Sequence, residues 1–138
     1  GGGHECMAIV EKFLDLEGRM ALQDLPKVVE HASVGERIEK MGNDYLTVRQ
    51  IKGARRYNMC QILHSYNGEV AIRILKARLP ATSADSVPLI DDKAISDEKV
   101  SGAPSVFLTM LAMFKGVERR EAQWRKLLDD AGYRVNAL

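Results

Sequence analysis

Cysteine is scarce: only Cys6 and Cys60 occur in 138 residues. They are too few for a disulfide scaffold and too far apart for a metal pair, so no metal site is expected and a reducing cytoplasm fits best. No apolar run approaches the roughly 18–20 residues needed to span a bilayer. The longest, Val106 to Phe114, is interrupted by Thr109 and reads as one buried helix. No signal-peptide pattern, internal repeat or low-complexity tract is visible. Neither sign of charge dominates, with 20 Lys+Arg against 19 Asp+Glu and a net of +1. That argues against a chain built to coat nucleic acid, while leaving room for a local basic patch; no membrane partner is expected. What is present is 46% hydrophobic and 28% charged, the composition of one globular domain.

Apolar periodicity predicts a helix over His4–Leu16, facing inward through Met7, Ile9, Val10, Phe13 and Leu14 and stopped by Gly18. A short strand follows at Arg19–Gln23. Pro26 then suits the first turn of a helix running to His31. Arg37–Met41 is a second strand, Arg56–Leu63 a third and Val87–Ile90 a buried fourth, where Pro88 favours a strand start or an edge. Helices are expected over Glu69–Ala77, Ser105–Phe114 and Glu118–Ala131, the last facing inward through Ala122, Trp124, Leu127 and Leu128. Gly132 caps it, and Tyr133–Leu138 begins a last strand. Strands alternating with helices imply an α/β layered sheet.

In such sheets ligands gather at the carboxyl ends of strands. Gly1, Gly2 and Gly3 open a helix, and Asp24 stands twenty-one residues after Gly3. Glycines at a strand-to-helix turn let the backbone approach a nucleotide, and an acid about 20 residues on accepts from ribose hydroxyls. A flexible terminus explains the glycines alone equally well, and Asp24 also suits an N-cap for the Pro26 helix. Asp44 is a third polar group at a strand end, able to accept from an adenine amine or to serve as a plain turn residue. His64 sits between an apolar strand and the polar Ser65-Tyr66-Asn67 turn, where a general base would reach a bound hydroxyl. Asp91 and Asp92 end the next strand. Adjacent carboxylates point to opposite sides, so one of them would face His64 and orient it.

Three segments carry a resemblance in order along the chain: Gln23-Asp24-Leu25-Pro26-Lys27-Val28, then Ile62-Leu63-His64, then Val117-Glu118-Arg119-Arg120-Glu121-Ala122-Gln123-Trp124 followed by Ala131-Gly132-Tyr133. Together they resemble the caffeic-acid-type O-methyltransferases, fungal secondary-metabolite members above all. The resemblance implies a Rossmann-like methyltransferase sheet with flanking helices. It also implies S-adenosyl-L-methionine as methyl donor and a hydroxyl, usually phenolic, of a small aromatic or polyketide molecule as acceptor.

On the family's pattern Gly1, Gly2 and Gly3 are the glycine loop, Asp24 holds the ribose, and Asp44 with Tyr45 flanks the adenine. His64 is the general base, Asp92 (or Asp91) and Glu118 are the acids bracketing it, and Met110 lies against the acceptor ring. Met113 would share that apolar pocket. Two positions depart from the pattern: Ser65-Tyr66 replace the usual Asp-Trp, and Cys60 stands where a Lys or Arg is common. The family also has a central strand before its glycine loop, an N-terminal dimerisation domain before that, and a closing strand. Residues 1–138 are therefore read as part of a catalytic domain, the full-length protein as a cytoplasmic homodimer.

Three other readings compete. The glycines and Asp24 also allow a dinucleotide-binding oxidoreductase, although nothing suggests a second nucleotide half. A non-enzymatic regulatory relic of the methyltransferase fold is the second. The third is nucleic-acid binding through Arg49, Lys52, Arg55 and Arg56, a cluster that lacks interleaved stacking aromatics apart from Tyr57.

Overall fold

The computed structural model describes residues 1–48, 50–95 and 117–136. The elements run α1 (His4–Lys12), β1 (Met20–Asp24), α2 (Pro26–His31), β2 (Ile38–Gly42), β3 (Arg56–Cys60), a 3-10 turn (Leu63–Ser65), α3 (Gly68–Arg78), a second 3-10 turn (Leu79–Ala81), β4 (Val87–Asp91), β5 (Ala94–Ile95), β6 (Arg119–Arg120) and α4 (Glu121–Asp130). Described strands form three two-stranded pairs, β1-β2, β3-β4 and β5-β6, all parallel. Strands and helices alternate as the sequence suggests through α3 and β4, while the short β5 and β6 are not expected from it. The chain divides into two compact units, 1–47 and 48–138.

In the first unit Met20 pairs with Ile38 and Asp24 with Gly42, so both strands end level. Leu22, Val29, Ala32 and Ile38 form the core, and Cys6, Met7 and Val10 of α1 pack on it with Met20 and Val34. Pro26 occupies the first turn of α2, as its fixed φ favours. Helix α1 stops at Lys12, four residues short of the Leu16 that periodicity suggests. The chain leaves helical geometry at Phe13 (φ −119°, ψ 79°). Phe13 and Leu14 therefore face outward, Leu14 at 74% exposure, instead of joining the core.

In the second unit Arg56 pairs with Val87 and Cys60 with Asp91. Helix α3 begins at an Asn67 cap whose side chain accepts from the Val70 N–H at 2.9 Å, and it buries Ala71, Ile74 and Leu75. Strand β3 ends at Cys60, not Leu63, because Gln61 takes the left-handed region at φ 50° and redirects the chain. Strand β4 is only half-buried, with Leu89 46% exposed, because its alternate side chains face outward.

Helix α4 starts at Glu121, the preceding Arg119 and Arg120 being drawn into the short parallel pair with Ala94 and Ile95. It buries Trp124, Leu127 and Leu128 but leaves Ala122 exposed. Gly132 at φ +87° ends it, with Gly132 N–H donating to the Asp129 carbonyl and Tyr133 N–H to Leu128 at 2.9 Å each. That is the left-handed glycine cap its sequence position suggests. Residues 133–136 form no strand, since the chain past the cap is held by the Tyr133 hydroxyl donating to the Leu75 carbonyl at 2.9 Å. The helix expected at 105–114 lies outside the described residues, as do Arg49, Met110 and Met113. Cys6 and Cys60 are not joined in a disulfide.

Gly3 is the glycine the first unit most depends on. It sits at φ +88°, and a Cβ there would come within 2.4 Å of Val34 Cγ1 and 3.2 Å of Leu22 Cδ2. Gly3→Ala in the full-length protein is therefore expected to destabilise the domain by about 1–3 kcal/mol through strain and overpacking. Denaturant unfolding checks this, and a loss below about 0.5 kcal/mol would mean that Val34 moves aside freely.

Candidate active site

Asp24 closes β1 and is buried. Its Oδ1 accepts from the Leu25 N–H at 2.7 Å, and its Oδ2 lies against the Gly1 backbone nitrogen, so the glycine turn and this carboxylate meet across twenty-three residues. Its backbone carbonyl accepts from the Asn43 N–H at 2.7 Å, tying the ends of β1 and β2 together. Asp24 is not the cap of α2: that position is Leu25, with no side-chain cap bond. The carboxylate is thus a fixed acceptor at a strand end beside the glycine turn. A fixed acceptor of this kind is what a ribose diol donates to.

The residues around Asp44 form a turn. Its Oδ1 accepts from the Leu46 N–H at 2.9 Å and its carbonyl from Thr47, so this exposed carboxylate is engaged locally. Tyr45 beside it is half-buried. A groove of about 340 Å³ lined by Met7, Val10, Gly35 and Ile38 runs along α1 at the start of β2, the opposite strand end from Asp24.

In the second unit His64 lies on the 3-10 turn that follows the sharp bend at Gln61. Its Nδ1 faces Glu118 Oε1 at 3.3 Å, the side chains being 12% and 7% exposed. A carboxylate only accepts, so the pair favours the tautomer that places the proton on Nδ1 and the lone pair on Nε2. Of the two adjacent acids, Asp92 lies against this turn, its Oδ2 accepting from the Leu63 N–H at 3.1 Å. Asp91 turns instead toward the Cys60 thiol, which donates to Oδ2 at 3.5 Å. Asp92 Oδ1 and Glu118 Oε2 are buried with no hydrogen-bond partner among the described residues.

Arg119 completes this cluster, and sequence reasoning gave it no role. It is 3% exposed. Its guanidinium donates to the carbonyls of Leu63 at 2.9 Å and Tyr66 at 2.7 Å. Its position next to Glu118 in the chain was the available signal. Burial lowers its pKa, while Asp92 and Glu118 oppose the change. Of the basic cluster weighed for nucleic acid, Lys52, Arg55 and Arg56 are exposed, but Tyr57 is buried with its hydroxyl donating to the carbonyl of Ala81 at 2.7 Å. Its ring is therefore not offered for stacking.

The family described as the O-methyltransferase domain matches residues 1–134. The chain belongs to that family. This O-methyltransferase domain is 36% identical over 135 residues to O-methyltransferase mfmE of Annulohypoxylon moriforme, covering 96% of the chain and 34% of that relative. It is 31% identical over 139 residues to demethylsterigmatocystin 6-O-methyltransferase stcP of Emericella nidulans, covering 98% of the chain and 67% of that relative. The solved structure of LepI in complex with SAM superposes with a TM-score of 0.94 at 31% identity, over 100% of this chain and 36% of that one. The chain thus spans about a third of the length of mfmE and of LepI. The α/β methyltransferase fold expected from the sequence is the one these neighbours have. No helix among the described residues is long and apolar enough to cross a membrane.

Burial pushes the Asp92 carboxyl above the usual carboxylate range, with the Leu63 N–H and His64 drawing it part of the way back. A carboxyl whose pKa is higher folded than unfolded takes up protons on folding. Its contribution to stability is present at acid pH and lost as the pH rises through the folded value. Asp92→Asn keeps an acceptor for the Leu63 N–H and removes that penalty. The variant is expected to unfold about 2 °C higher than wild type at neutral pH, with the gap closing on acidification toward the ordinary carboxylate range. Thermal melts across that range check it, and a less stable variant at neutral pH would overturn the assignment.

Proposed function

We propose that the full-length protein is an S-adenosyl-L-methionine-dependent O-methyltransferase acting on a hydroxyl, phenolic in the first instance, of a small aromatic or polyketide-type metabolite. The observation that carries this reading is the buried pair of His64 Nδ1 and Glu118 Oε1, which leaves Nε2 as a base. The family membership, and a relative named for 6-O-methylation of demethylsterigmatocystin, support the substrate class.

S-adenosyl-L-methionine, when bound, supplies an electrophilic methyl group on sulfur. In this reading Asp24 holds the ribose hydroxyls, with Gly1, Gly2 and Gly3 giving backbone access beside it and Asp44 and Tyr45 flanking the base. A phenol with a pKa near ~10 is a poor nucleophile at neutral pH. His64 Nε2 takes its proton as the oxygen becomes nucleophilic. Glu118 then faces an imidazolium, a charge it stabilises without accepting the proton. Asp92 adds a second negative charge near that cation and ties the turn through Leu63. Met110 is assigned to the acceptor pocket on the family pattern. Base catalysis of this kind contributes about 10²–10⁴-fold, and correct placement of the reacting groups about 7–11 kcal/mol more.

Two substitutions separate the halves of the reading. His64→Ala is expected to lower kcat by about 10²–10⁴-fold while S-adenosyl-L-homocysteine binding stays within about twofold. Asp24→Asn is expected to weaken that binding by roughly 10–100-fold, the worth of charge-assisted hydrogen bonds. Calorimetric titration and methyl transfer from labelled donor to a panel of phenols measure both. Undiminished turnover in His64→Ala would remove the base, and unchanged binding in Asp24→Asn would remove the ribose contact.

A further inference from the structure

His64 is held mainly by its backbone. The turn that carries it spans only Leu63–Ser65 and follows a left-handed Gln61, a conformation that costs a non-glycine residue free energy. Such a turn keeps one geometry only if its surroundings determine it. Within the turn, the Ser65 N–H donates to the Ile62 carbonyl and the Tyr66 N–H to Leu63, at 3.2 Å each. From outside, the Leu63 N–H is taken by Asp92 and the His64 carbonyl accepts from the Val117 N–H at 2.9 Å.

Two further carbonyls, one just before and one just after His64, converge on a single group. Arg119 Nη1 donates to Leu63 at 2.9 Å and Nη2 to Tyr66 at 2.7 Å. Nη1 also reaches the Val117 carbonyl at 3.3 Å. The guanidinium lies 5.2 Å from the centroid of the buried Trp124 ring, whose indole N–H donates to the Lys93 carbonyl at 3.4 Å. Lys93 adjoins Asp92, so the same stack also secures the strand end that supplies the second acid.

We propose that Arg119 is the positioning residue of His64, a fork that fixes the Leu63–Tyr66 turn so that Nδ1 stays on Glu118. The proposal rests on reading His64 as the base, but its geometric content does not. A planar fork with several fixed donors spans two carbonyls that a point-like ammonium cannot. The requirement is therefore for the shape of arginine as well as its charge. Removing the fork while keeping the charge should loosen the imidazole through the turn that carries it.

Arg119→Lys in the full-length protein, saturated with S-adenosyl-L-homocysteine, tests this. The readout is the His64 Nδ1 proton in a sample with ¹⁵N-labelled histidine. In wild type it should be a downfield, slowly exchanging resonance, and in Arg119→Lys its exchange should accelerate at least about tenfold. Adding Arg119→Lys to Glu118→Gln should accelerate it by less than about twofold more, because both changes act on one contact. Trp124→Leu, which removes the ring beneath the guanidinium, gives a second variant with the same direction and smaller amplitude.

Unchanged exchange in both variants, or full additivity with Glu118→Gln, would overturn the proposal. Kinetics then separate it from the reading beneath it. Loss of the protected proton with a 10–100-fold lower kcat and a donor KM within twofold supports both. The same spectral loss with unchanged kcat keeps the positioning role and removes His64 as the base.

Discussion

The second unit is organised around charge that has been taken out of water. His64, Glu118, Asp92 and Arg119 are gathered in one place, and Asp92 and Glu118 each leave one buried oxygen without a partner among the described residues. Burying ionised groups costs several kcal/mol apiece after relaxation, and pairing them rarely does more than offset that. The cluster is therefore not what stabilises the unit. Met59, Leu63, Ile74, Leu75 and Trp124, nearly all fully buried, do that. They hold the charged groups where water would otherwise disperse them. A histidine confined against one carboxylate, with its other nitrogen left as a lone pair, is the arrangement such a cost can maintain.

The first unit solves a different problem with less charge. A buried carboxylate at a strand end needs partners for its oxygens. Asp24 meets this by spending one oxygen on the adjacent Leu25 N–H and turning the other toward the glycine turn. Gly3 is required there by crowding against Val34 and Leu22. The missing side chain lets α1 lie close on the β1-β2 core.

The elements with regular periodicity or a strong stop signal were legible from sequence. The proline opening α2 and the glycine ending α4 act through one residue's backbone preference, and Asn67 before α3 through a local side-chain cap, none of which needs tertiary knowledge. The ends of α1 and β3 were not legible, because Phe13, Leu14, Gln61 and Ile62 are as apolar or neutral as their neighbours. What stops those elements is where the chain must go next. Of the site, the acids and the histidine were visible by type and spacing. The choice between Asp91 and Asp92 was not, since it depends on which side of β4 packs against the His64 turn. Arg119 was invisible for the same reason: arginine in a charged run reads as solvated, and only the fold shows it buried against a tryptophan.

The two departures from the family pattern can be weighed against these contacts. Ser65 contributes a backbone N–H to the turn, and Tyr66 a backbone carbonyl to Arg119, groups that any non-proline residue offers. Cys60 pairs with Asp91, the acid directed away from the histidine. The groups that hold the imidazole and its turn, Glu118 by its carboxylate, Asp92 through Leu63, and Arg119 through the turn, are all in place. The departures therefore leave in place the contacts that hold the His64 turn, whose residues the family pattern and this sequence share.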